Sequence, residues 1–186
     1  MKGRHTGLLL VALALVLFGG SLFFQVSHTA PTAAEAEAAR ASVEARKVIP
    51  VNRDLEMNNR SRFGWILGDG FEESEPDGTW ITAIDSVIDF RVKPGRLPVE
   101  IDLHLLPLTS SVKPYRYFEF SSSADARSAT VDQKVSVLNV TLKLDGSRAQ
   151  RVRIKCDELV SPLFLRIGPD RRPMCAKLLW LRVRGN

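Results

Sequence analysis

The sequence predicts an all-β, jelly-roll-like two-sheet sandwich, preceded by an N-terminal transmembrane helix and a short helical stalk. Three observations predict it. From Phe63 onward apolar residues recur with period two, the mark of half-buried strands. Turn-forming clusters such as Lys93-Pro94-Gly95, Asp145-Gly146-Ser147 and Gly168-Pro169-Asp170 divide these runs. No stretch after residue 62 carries a helical period, and no short repeat is present.

The leader comes first. Lys2, Arg4 and His5 precede an uncharged, mostly apolar run over residues 6–26. Such a run crosses a bilayer, because about 20 apolar residues at 1.5 Å each span the hydrocarbon core. Positive charge before it keeps the N-terminus inside and sends the rest out of the cytosol. A cleaved signal peptide is the alternative, but its apolar core is ordinarily shorter. We therefore expect residues 1–30 to be a signal-anchor, with the C-terminal part outside the cytosol.

Residues 31–62 read as a stalk and linker. The stretch 31–47 is rich in Ala, Glu and Arg, holds too few large apolar residues to bury a face, and ends before Pro50. Residues 63–186 then form one domain of ordinary size.

Within that domain five runs alternate cleanly. Ile84, Ser86, Ile88, Phe90 and Val92 share one face; Val99, Ile101, Leu103 and Leu105 another. Leu138 to Leu144, Val152 to Cys156, and Leu179, Leu181 and Val183 behave alike. Residues 115–120 and 163–167 complete seven or eight strands.

Cys156 and Cys175 form no CxxC and no zinc-type cluster. In an oxidising compartment they either form one disulfide or stay as two buried thiols. Charge is uneven along the chain. Residues 63–147 carry 8 Lys/Arg against 13 Asp/Glu, whereas residues 148–186 carry 10 against 3. Either strands from the two halves interleave and pair their charges, or the C-terminal strands build an anion-binding face. Nucleic acid is a poor partner, since no nucleic-acid motif is present and the compartment is wrong.

Catalytic signals are sparse. His104 is the one histidine of the domain, and no nucleophile elbow lies near it. Glu72, Glu73, Glu75 and Asp77 form an acidic turn. Glu75 and Asp77 would have to face each other across a cleft to act as glycosidase carboxyls. No cofactor is expected, although a structural calcium suits such a turn. Aromatics give the stronger signal. Trp65, Phe71 and Trp80 bracket the acidic turn, and Tyr115 and Tyr117 open another strand. Flat, rotor-poor rings suit stacking on sugar faces. Arg166, Arg171 and Arg172 flank a loop and have the forked geometry that holds carboxylate or phosphate.

The stretch Gly64-Trp65 … Gly70-Phe71-Glu72-Glu73-Ser74-Glu75-Pro76-Asp77-Gly78-Thr79-Trp80 and the later Ser161-Pro162 … Gly168-Pro169-Asp170-Arg171-Arg172 carry a resemblance. Together they resemble an uncharacterised β-sandwich domain attached to bacterial membrane glycosyltransferases and phosphoglycerol-transferase-like proteins. The resemblance covers roughly residues 63–184, and no transferase or sulfatase catalytic region accompanies it. It implies a non-catalytic envelope role, binding or presenting polysaccharide or serving a membrane glycosyltransferase. The alternative is a structural component of an envelope complex. Trp65, Glu75 and Trp80, then Tyr115, Tyr117 and Arg171, are the expected glycan contacts. Glu75, Trp80, Asp170 and Arg171 match the pattern and could equally form a structural latch.

Overall fold

A computed structural model describes Ala34 and residues 48–186. The leader and most of the stalk lie outside the described residues, within which no helix is long and apolar enough to cross a membrane. Ten strands are described: β1 (Val48–Ile49), β2 (Asp54–Glu56), β3 (Thr79–Ile81), β4 (Asp85–Val92), β5 (Pro98–Pro107), β6 (Tyr115–Ser121), β7 (Ala126–Asp132), β8 (Leu138–Lys143), β9 (Ala149–Cys156) and β10 (Ala176–Gly185). They form two sheets. Sheet A has the order β1-β4-β9-β6-β7; sheet B has β2-β10-β5-β8, with β3 also on β10. All pairs are antiparallel except β1 with β4. The fold is an all-β arrangement of two sheets around one main apolar core.

Alternation determines what that core contains. Ile88, Phe90, Phe118, Phe120, Val152 and Ile154 of sheet A are buried, as are Ile101, Leu103, Leu105, Leu142, Leu181 and Val183 of sheet B. Most of their outward neighbours are charged or polar, as a half-buried sheet requires.

The structure departs from the sequence reading in four places. Residues 48–62 are not simply a linker: β1 and β2 belong to the sheets, and Ile49, Leu55 and Met57 are fully buried. Residues 163–167 are not a strand but a knot of turns. There the Leu165 and Ile167 amides donate to the Ser161 and Pro162 carbonyls, so local bonds replace ladder pairing. Leu179 is not an inward residue. A bulge between Leu178 and Trp180 shifts the phase, and Leu178 takes the core position. Ile84, expected inside, lies just before β4 and is exposed.

Cys156 and Cys175 form a disulfide, with Cα atoms 6.4 Å apart. It joins the end of β9 in sheet A to the approach of β10 in sheet B, stapling the two layers at one end. The uneven charge is resolved by interleaving. Basic β9 lies between β4 and β6, and basic β10 lies between β2 and β5. Arg151 grips Asp89 through two bonds (2.8 and 2.9 Å) and Arg153 pairs with Asp85. Arg182 grips Asp54 (2.6 and 2.8 Å), while Arg184 meets Glu100 and Asp102.

Candidate functional site

The acidic turn folds onto β10. Its tip is closed by Gly78, whose φ is +150°. A Cβ there would stand 2.7 Å from the Leu178 carbonyl oxygen and 2.9 Å from Lys177 Cγ, so only glycine permits the approach. The close approach brings Lys177, which is 4% exposed, under the turn. Its Nζ donates to Glu75 Oε2 (2.9 Å) and Asp77 Oδ1 (2.7 Å). The same ammonium lies 4.5 Å from the centroid of the Trp80 ring. Trp80 Nε1 donates to Glu75 Oε2 (3.1 Å).

Arg172 closes the arrangement from the far loop. It donates to Glu72 (2.6 Å), Glu75 (3.0 Å) and Asp170 (2.6 Å). Four carboxylates are thus held by two cations. Hydrogen bonds from Lys177 and then Arg172 pull the Glu75 carboxyl below its ordinary value. Burial acts to lower the Lys177 pKa, but bonds from Asp77 and Glu75 outweigh it and the ammonium is held above its usual range. Arg172 likewise depresses Asp170.

This geometry is a latch. Glu75 and Asp77 both face the Lys177 ammonium, at 2.9 and 2.7 Å. Glu75 is held ionised, the opposite of what a general acid requires. No group of three or more metal-binding side chains with ligand geometry occurs among the described residues. Glu72, Glu75 and Asp77 of the acidic turn pair with Arg172 and Lys177.

The expected contact residues are separated by the fold. Trp65 sits on a 3₁₀ turn (Gly64–Ile66), packed against the main core. Trp80 packs on a second small core of Leu108, Val160, Leu165 and Met174, with Lys177 on its ring. Glu75 belongs to the latch. Arg171 is exposed and outside it; its neighbour Arg172 carries the pairing.

Tyr115 and Tyr117 remain open. They stand on the outer face of β6 at 62% and 41% exposure, roughly 7 Å apart along the strand. Inward alternation of Arg116, Phe118 and Phe120 turns them to solvent. Beside Tyr117 lies a shallow recess of about 290 Å³, lined by Glu119, Ser121, Arg127, Ser128 and Lys155 among others. The Tyr117 hydroxyl donates to Glu119 Oε1 (3.3 Å). Lys155 makes no ion pair among the described residues, so the recess offers a free ammonium.

Sequence reasoning missed several residues. Lys177 interrupts an apolar run, Ala176-Lys177-Leu178, and that interruption was its signal. Arg116 shares a period with Phe118 and Phe120 and is fully buried; its Nε donates to Asp157 (3.0 Å) and its Nη2 to the Glu158 carbonyl. On the outer face of sheet B, Trp180 stacks on His104 with ring centroids 4.6 Å apart, and His104 bonds Asn139.

No protein-family model matches the chain, and no curated protein does. Among solved structures it is similar to the Agl-KA catalytic domain (TM-score 0.44, 10% identity, 77% of this chain and 29% of that one). It is similar also to the CBM36-1 domain of a multidomain xylanase from the hindgut metagenome of Trinervitermes trinervoides (0.42, 9%, 72% and 98%). A third is a family two carbohydrate esterase from Clostridium thermocellum in complex with cellohexaose (0.39, 10%, 72% and 32%). The chain spans about a third of that esterase.

Proposed function

We propose that this chain is a membrane-anchored, non-catalytic periplasmic module of the bacterial cell envelope that binds or presents glycan, or serves a glycan-assembly enzyme such as a membrane glycosyltransferase. The observation that carries the reading is the Tyr115–Tyr117 pair. Two flat rings stand open on one strand, and Tyr117 lines a recess with a free ammonium (Lys155), a carboxylate (Glu119) and a hydroxyl (Ser128). Rings take the apolar CH faces of a sugar, and the polar groups take its hydroxyls. A face this shallow gives weak, exchangeable binding, as suits holding a polymer rather than turning it over. The leader, read as an uncleaved anchor, keeps the module at the inner membrane.

The test is glycan-array retention of the full chain in nanodiscs. Tyr115→Ala and Tyr117→Ala are each expected to lower retention about 3- to 10-fold, the worth of one ring contact. Their melting temperatures should stay unchanged, because both side chains face water. Retention unaffected by the double variant would remove this reading.

A second reading, an envelope assembly component, draws on β7. This strand pairs on one side only, with β6, and its outward residues are exposed. An open edge accepts a strand from a partner. Co-purification with a membrane complex that survives Tyr115→Ala but fails on Thr130→Pro would favour it.

A further inference from the structure

The loop between Ser161 and Asp170 displays apolar side chains from a rigid frame. The Leu163 amide donates to the Asp170 carbonyl (2.8 Å), that of Leu165 to Ser161 (3.0 Å) and that of Ile167 to Pro162 (3.0 Å). Leu165 anchors the loop at 1% exposure among Leu108, Val160 and Met174. The Cys156–Cys175 disulfide closes its base. Around that anchor Leu163, Phe164 and Ile167 point to water at 48%, 61% and 52% exposure. Three large apolar side chains exposed on one fixed tip are the kind of feature that marks an interaction site.

Charge identifies what covers it. Arg166 and Arg171 flank the tip, and neither makes a side-chain hydrogen bond or ion pair among the described residues. The nearby carboxylates are already committed: Asp170 to Arg172, Glu158 and Asp157 to Lys113, and Asp157 also to Arg116. Arg166 moreover adopts φ +59°, a left-handed conformation that glycine would take without penalty. The Arg166 guanidinium therefore stands on a backbone that carries a modest conformational cost.

We propose that this tip dips into an anionic phospholipid bilayer. Leu163, Phe164 and Ile167 enter the boundary between headgroups and acyl chains, while Arg166 and Arg171 meet the phosphates just above it. An apolar apex backed by unpaired arginines matches the polarity gradient of that boundary. The contact belongs to the folded domain and is separate from the leader. The tip is at the far end of the sandwich from Ile49, which pairs with Val92 at the other end of β4.

The experiment places an environment-sensitive fluorophore on Phe164→Cys in the full chain, reconstituted into vesicles. Lys93→Cys, in the turn at the opposite end, is the control site. Phosphatidylglycerol-containing vesicles are compared with pure phosphatidylcholine, and doxyl-labelled lipids serve as quenchers. The label at 164 is expected to shift blue and be quenched in the anionic vesicles only, and the label at 93 in neither. Arg166→Gln with Arg171→Gln should lower the immersed-to-free ratio about 30-fold, two charges' worth. A label at 164 that stays in water on anionic vesicles overturns the proposal. So does immersion that the double arginine variant leaves intact. Shielding that follows protein concentration in vesicle-free detergent would assign the tip to a second copy of the chain instead.

Discussion

Lys177 and Trp80 meet as a cation over a ring, 4.5 Å from ammonium to centroid, on neighbouring positions of β10 and β3. The pair occupies one face of an aromatic expected as a glycan contact. One side of Trp80 carries the ammonium, and the ring packs on Leu108, Val160, Leu165 and Met174. Lys177 in turn is held by Glu75 and Asp77, so the acidic turn and β3 close on one side chain of β10.

Lys177→Ala is therefore expected to destabilise the domain by about 1–3 kcal/mol in urea titrations. The loss falls below the ~3–5 kcal/mol of a fully buried broken pair, because Glu75 and Asp77 are partly exposed and rehydrate. Lys177→Met keeps the packing stem and should recover part of the loss.

Acid should weaken the same latch. The folded Glu75 carboxyl titrates below its ordinary 4.5, held down first by Lys177 and then by Arg172. A depressed carboxyl contributes stability that is complete above the unfolded value and is lost as pH falls through the folded one. Unfolding midpoints should decline from roughly pH 5 downward, and Glu75→Gln should flatten that slope. An identical slope in the variant would show that Glu75 contributes nothing to it.

Arg116 sits fully inside the sandwich with its Nε on Asp157 and its Nη1 without a hydrogen-bond partner among the described residues. Arg116→Met fills the space without a buried charge and should change stability by less than about 1.5 kcal/mol. Asp157→Ala leaves the guanidinium buried without its carboxylate and should cost about 3 kcal/mol or more. Calorimetric midpoints of the two variants test this order.

Reducing the Cys156–Cys175 bond should lower stability by about 3 kcal/mol, the usual worth of closing a loop of this length. Proteolysis of the reduced chain should begin between Asp157 and Met174, the segment the bond encloses. Cleavage elsewhere first would show that this segment is held by its own packing.

Some of this was legible in the residues alone. The all-strand domain, the inward rows of β4, β8 and β9, and the exposure of Tyr115 and Tyr117 follow from period two. Alternation is a property of the extended backbone itself, in which successive side chains point to opposite faces. Arg116 shares that phase with Phe118 and Phe120, yet its charge kept it out of the expected core.

Only the assembled sheets decided the rest. Glu75 and Lys177 are 102 residues apart, and Arg172 rather than Arg171 reaches the acidic turn. Those choices depend on strand order and on where a bulge resets the phase, as it does between Leu178 and Trp180. What lies over a ring is likewise decided by strand order, and for Trp80 that neighbour, Lys177, comes from a strand at the far end of the chain.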